Sequence, residues 1–137
     1  MGETLAFIKS LGVPTELACH NPTAHLLARE KGLGADFNMV CFCNCGMVHI
    51  GKGDSYEAED RGSAVEVISK IPASCLAYKV LAADRNDPRK AFRCAFAHIK
   101  PTYAVVAGVF TKRHPTQAEE DARIAEEILT GSGEDLM

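Results

Sequence analysis

Four apolar runs of strand length, each followed by a stretch with helical periodicity, constrain this 137-residue chain more than any other feature. Thr15 to Cys19, Phe37 to Phe42, Cys75 to Ala83 and Tyr103 to Phe110 read as strands. The residues after three of them carry a turn device: Asn21-Pro22, Asp87-Pro88 and His114-Pro115. A capping side chain followed by proline opens a helix, because proline has no N–H to lose there. Ala64, Val67, Ile68 and Ile71 fall at i, i+3, i+4, i+7 on a helix predicted from Asp60 to Ile71. Ala91, Phe92, Ala95, Phe96 and Ile99 repeat the pattern before Lys100-Pro101. A short helix, Glu3 to Leu11, precedes the first strand and stops at Gly12. Thr116-Gln-Ala-Glu119 reads as a capping box opening a last helix through Leu129, with Ala118, Ala122, Ala125 and Leu129 on its inner face.

Alternation of this kind predicts an α/β fold with a parallel sheet and right-handed crossovers. We expect one domain over 1–130, a parallel (βα)4 half-barrel preceded by one helix, with a frayed acidic tail over 131–137. A flavodoxin-like open parallel sheet with helices on both faces is the competing arrangement. The 47 % hydrophobic content supports a real core. A net charge of -3, without a basic stripe interleaved with aromatics, argues against nucleic acid. No apolar run approaches the roughly 18 residues of a membrane span. Six cysteines without a secretory leader read as reduced thiols, which places the protein in the cytoplasm.

FIKSLGVPTELACHNP, DFNMVCF, EDRGSAVEVISKI, CLAYKVLAADR, AFRCAFAHIKPTYAVVAGVF and QAEEDARIAEEI resemble successive pieces of the C-terminal half of bacterial (βα)8-barrel proteins of poorly defined function. The last two resemble, more faintly, the end of aldo/keto-reductase-like barrels, where a Gly-containing strand precedes a Gln-x-x-Glu helix. This resemblance implies half of a closed cylinder. Cys41, Cys43 and Cys45 depart from it, standing where polar and aromatic residues are expected. A half-barrel with all its helices on one side leaves the other sheet face bare, and an apolar face of several hundred Å² is rarely left wet. We therefore expect self-association as a homodimer or higher even oligomer, with Met39, Leu76, Val80, Val105, Val106 or their neighbours at the seam.

Ligands of parallel α/β folds gather beyond the carboxyl ends of the strands. His20, Cys43, Cys45, Lys79, Arg85, Lys112, Arg113 and His114 all fall there. Arg85, Lys112 and Arg113 with helix N-termini favour a small anionic metabolite; alternatively they are solvated loop charges. Lys79, inside an apolar run, is a candidate amine nucleophile for a lyase or isomerase acting on an anionic carbonyl compound, with His20 or His114 as acid/base. Its structural counterpart is a lysine paired with a carboxylate, Asp84, Glu59 or Asp60, or snorkelling out at the strand end. The Cys41/Cys43/Cys45 run with His20, His49 or His114 offers thiolate and imidazole to zinc, although paired spacing is missing. Packed reduced thiols are the competing reading, and a reactive thiol at Cys43 or Cys45 a further one. A nicotinamide site at the turn from Lys112 to Glu120 lacks a dinucleotide fingerprint. Gly51-Lys52-Gly53 reads as a lid or plain loop, and His25 and His98 as structural or solvent-facing.

Overall fold

A computed structural model describes residues 2–43 and 60–131. Five helices and four strands alternate in it: α1 (Gly2–Ser10), β1 (Glu16–Cys19), α2 (Thr23–Glu30), β2 (Phe37–Cys41), α3 (Asp60–Lys70), β3 (Ser74–Tyr78), α4 (Pro88–His98), β4 (Ala104–Val106) and α5 (Gln117–Thr130). All strand pairs are parallel, in the order β1-β2-β3-β4. Consecutive helices from α2 onward touch one another, so they form one layer. A flavodoxin-like sheet must reverse its strand order at a switch point, and this sheet never reverses. That alternative is overturned in favour of the singly wound (βα)4 arrangement.

Local chemistry explains most boundaries. Asn21 Oδ1 accepts from the Thr23 N–H at 3.1 Å and the Thr23 hydroxyl at 2.8 Å, ahead of α2. Asp87 caps α4, its Oδ1 accepting from Lys90 N at 2.9 Å with Pro88 in the first turn. Gly12 and Gly32 follow α1 and α2 in the left-handed region, at φ 72° and 70°, where a side chain would be strained. The predicted capping box of α5 does not form. Thr116 makes no side-chain cap; its hydroxyl donates instead to Glu120 Oε1 at 2.6 Å.

Strand register sorts the side chains onto two faces. Cys19, Val40, Ala77 and Val105 make one row across the sheet, and Val40 and Ala77 are fully buried against the helices. Around this row gather Phe42, Ala64, Ile68, Phe92 and Ala95. The opposite row, Ala18, Met39, Leu76 and Ala104, runs through all four strands with no layer of described residues over it. Ala18 and Ala104 are exposed, Met39 and Leu76 half-buried, and Val106 in the next row is 42 % exposed. Parallel sheets normally have both faces covered.

The amino ends of the strands are stapled. Thr15 donates its backbone N–H and its hydroxyl to Asp36 Oδ2, both at 2.7 Å, which ties the starts of β1 and β2 and holds the Asp36 carboxyl below its ordinary range. Buried His25 of α2 shares a hydrogen bond with buried Asn38 of β2, Nδ1 to Oδ1 at 3.1 Å. Of the two readings for this residue, the structural one holds. Burial pulls the His25 pKa below its usual 6.5, the hydrogen bonds opposing. A base depressed in the fold contributes stability above the unfolded value and loses it as pH falls through the folded one. The unfolding free energy should therefore drop between about pH 7.5 and about pH 5 more steeply in the native chain than in His25→Gln. Urea melts at the two pH values check this; parallel losses would rule it out.

Three elements depart from expectation. The apolar run Cys75 to Ala83 is not one strand: β3 ends at Tyr78, and Lys79, Ala82, Ala83 and Asp84 all take positive φ, from 49° to 61°. In α5 the alanine stripe is not the buried face. Ala118, Ala122 and Leu129 are exposed, whereas Asp121 is buried and Ile124 and Ile128 are half-buried. β4, expected over Tyr103 to Phe110, covers Ala104–Val106.

Candidate functional site

The left-handed turn after β3 has a physical cause that hydrophobicity alone does not reveal. Non-glycine residues in this region cost of order 1–3 kcal/mol each and persist only when their surroundings over-determine them. Here the surroundings centre on Asn86. Its Nδ2 donates to Val80 O at 2.8 Å, its backbone N–H donates to Leu81 O at 3.2 Å, and its Oδ1 accepts from Arg61 Nη2 at 2.7 Å. Arg85 Nη1 donates to Ala82 O at 3.0 Å. Gln117 of α5 donates to Asp84 Oδ1 at 3.2 Å and accepts from Phe110 N at 2.9 Å, joining this turn to the one after β4. Val80, Leu81 and Ala82 are buried, so the turn plugs into the core.

This turn carries Lys79 to the carboxyl end of the sheet. Its Nζ lies 2.9 Å from His20 Nε2, just past β1 and 59 positions away in sequence. Either nitrogen can donate in this contact while the other supplies its lone pair, according to the His20 tautomer. The His20 ring also faces Tyr78, with centroids 6.2 Å apart and planes at 58°. Lys79, Tyr78, Ala82, Val106 and Gly108 line a hollow of about 230 Å³. A lysine, an imidazole and a tyrosine ring thus come together at the carboxyl end of the sheet.

The other expected residues are placed differently. Lys79 stands beyond the strand, not within it, which corrects the premise on which it was singled out. The Asp84 carboxylate receives Gln117, and no ion pair with Lys79 forms among the described residues. Arg85 is exposed at the rim of the turn. Lys112, Arg113 and His114 are exposed after β4, with Arg113 5.9 Å from the centre of the Phe110 ring. Among the described residues, none of these four is hydrogen-bonded to the Lys79–His20 pair.

Cys41 and Cys43 are fully buried. Cys41 donates to Cys43 O, while Cys43 Sγ accepts from Asn86 Nδ2 at 3.7 Å. Burial pushes the Cys43 thiol up, against the opposing pull of Arg61, which is the reverse of what a reactive thiolate requires. Cys45, His49, Glu59, Gly51-Lys52-Gly53 and the tail over 132–137 lie outside the described residues. Among the described residues no group of three His, Cys, Asp or Glu side chains is arranged to hold a metal ion. Cys75 is buried as a core residue, whereas Cys19 and Cys94 are only half-buried. No helix among the described residues is long and apolar enough to cross a membrane.

Asn86, Arg61 and Gln117 were not singled out from the sequence. Arg61 reaches Asn86, which holds the Val80 carbonyl, and Gln117 joins the Asp84 carboxylate to the Phe110 N–H; no local pattern encodes such pairings. No family model matches the chain, and comparison with curated proteins and with solved structures finds no match.

Proposed function

We propose that this chain is one half of a closed βα cylinder, and that a second copy supplies the other half as a homodimer or higher even oligomer. The observation behind this reading is the row Ala18, Met39, Leu76 and Ala104, over which no layer of described residues lies, whereas parallel sheets are normally covered on both faces. Two such faces meeting about a two-fold axis would bury each other and pair the edges of β1 and β4, the outermost strands among the described residues. This reading is consistent with the resemblance to barrel halves. The mass of the native chain in solution, followed by sedimentation through a dilution series, tests it. An even multiple of the subunit mass is expected; a folded single subunit at every concentration would sink the idea.

The contact between Lys79 and His20 favours a second reading, that the cylinder's mouth acts on a small anionic carbonyl compound. Lys79 Nζ attacks the carbonyl carbon and the oxygen leaves as water after two proton transfers, forming a C=N bond. His20 relays those protons. Arg85, tied to Ala82 at the hollow's edge, offers a positive charge to the substrate anion. The hollow is smaller than the ~300 Å³ at which pockets for drug-sized ligands begin, which fits a small metabolite. Borohydride reduces such an imine to a stable secondary amine. Mass spectrometry after trapping with pyruvate and with glycolaldehyde phosphate should find the adduct on Lys79 and not in Lys79→Ala, with a slower yield in His20→Ala. No adduct with either compound would count against Lys79.

A further inference from the structure

The helix layer does not close everywhere. Between α4, α5 and β4 an open groove of about 330 Å³ remains, walled by Phe92, Phe96, Val105 and Ala122. Its lining is apolar with one exception, Asp121 of α5. That residue is 7 % exposed, and its Oδ2 has no hydrogen-bond partner among the described residues. Buried acceptors are nearly always satisfied, and a carboxylate oxygen facing hydrocarbon without a donor is the costlier case.

The electrostatics around the groove have one sign. Burial pushes the Asp121 carboxyl up, and the negative charges of Asp84 and Glu120 push the same way. Arg89 of α4 and Arg123 of α5 are both drawn into ion pairs with Glu127. A neutral donor could satisfy the oxygen but would leave the charge unanswered, whereas a cation answers both. The remaining walls supply two aromatic rings, Phe92 and Phe96, with centroids 6.3 Å apart. Aromatic faces also attract cations.

We propose that this groove binds a small organic ammonium ion, its N–H donating to Asp121 Oδ2 and its apolar body lying against Phe92, Phe96 and Val105. At about 330 Å³ the groove is near the lower end of ligand pockets, which sets the size of that body at one ring or a branched chain of similar bulk. The site lies on the helix side of the sheet, away from the bare face, and stands independently of how that face is covered.

Phenethylammonium chloride and its neutral analogue 2-phenylethanol are the probes, titrated into the full chain and followed by methyl and aromatic NMR. The ammonium should shift the Val105, Ala107 and Ala122 methyls and the Phe92 ring, and should bind at least about tenfold tighter than the alcohol, as a charge-assisted hydrogen bond implies. Asp121→Asn should erase that preference while leaving the alcohol's affinity unchanged. Ala122→Phe, at an exposed position, should fill the groove and block both probes. Absence of shifts at these residues, equal affinity for the two probes, or ammonium binding untouched by Asp121→Asn would each overturn the proposal. If Asp121→Asn does not fold, Ala122→Phe decides: unchanged ammonium binding in that variant overturns the site, and its loss supports it.

Discussion

Phe42→Ala should lower the unfolding free energy by about 3–5 kcal/mol, the usual cost of emptying a buried aromatic site. Phe42 is 1 % exposed and sits one residue past β2, where its N–H donates to Tyr78 O at 3.0 Å. Its ring packs in the cluster that holds Val40, Ile68 and Ala91, so truncation leaves a cavity that several elements would have to move to fill. Against the roughly 5–15 kcal/mol of a typical domain this is a large fraction. Phe42→Leu keeps most of the volume and should cost about 1.5 kcal/mol or less. Phe7→Ala, at a position 64 % exposed on α1, should stay within about 0.5 kcal/mol of the native chain. Urea unfolding curves of the three variants, with unchanged slopes, give the comparison. A loss for Phe42→Ala as small as that for Phe7→Ala would mean that Phe42 does not anchor the core.

The second large effect concerns the bare face. Met39 and Leu76 are register partners at the centre of the row that no described helix covers. Met39→Asp with Leu76→Asp should leave the subunit folded, because both side chains are only half-buried within it. At a seam between two copies, however, four carboxylates would be forced together out of water, with a penalty of several kcal/mol. That corresponds to a rise in the dissociation constant of about a thousandfold or more. Sedimentation should find single subunits at concentrations where the native chain is assembled, with an unchanged circular dichroism spectrum. Leu27→Asp, at a position 53 % exposed on α2, controls for added charge and should not alter the mass. A double variant that still assembles like the native chain would place the contact elsewhere.

The element order could be read from the residues because it depends on local periodicity and on caps such as Asn21 and Asp87, which act within three residues. Strand order could not, since nothing in a strand names its neighbour. The run CLAYKVLAA shows the limit within a single segment. Apolar residues are required both in a buried strand and in a buried turn, and Asn86, Arg61 and Gln117 decide between them through bonds spanning up to 33 positions. For Lys79 the premise of burial in a strand does not hold: a turn places it beside His20. In α5 the stripe Ala118, Ala122, Ala125 and Leu129 reads from the sequence as the inner face. The helix turns Asp121, Ile124 and Ile128 inward and leaves its alanines along the groove.

The left-handed turn also sets what a mutational screen would find. Glycine adopts these angles without penalty, so a library covering positions 79 and 82 to 84 and selected for heat endurance alone should enrich glycine there, by about 1 kcal/mol per site. Glycine at 79 would discard the one lysine among the described residues that line the hollow, along with the strain. Selection for endurance and selection for chemistry should therefore pull that one codon in opposite directions, and the codon that each regime retains would report what the lysine is for.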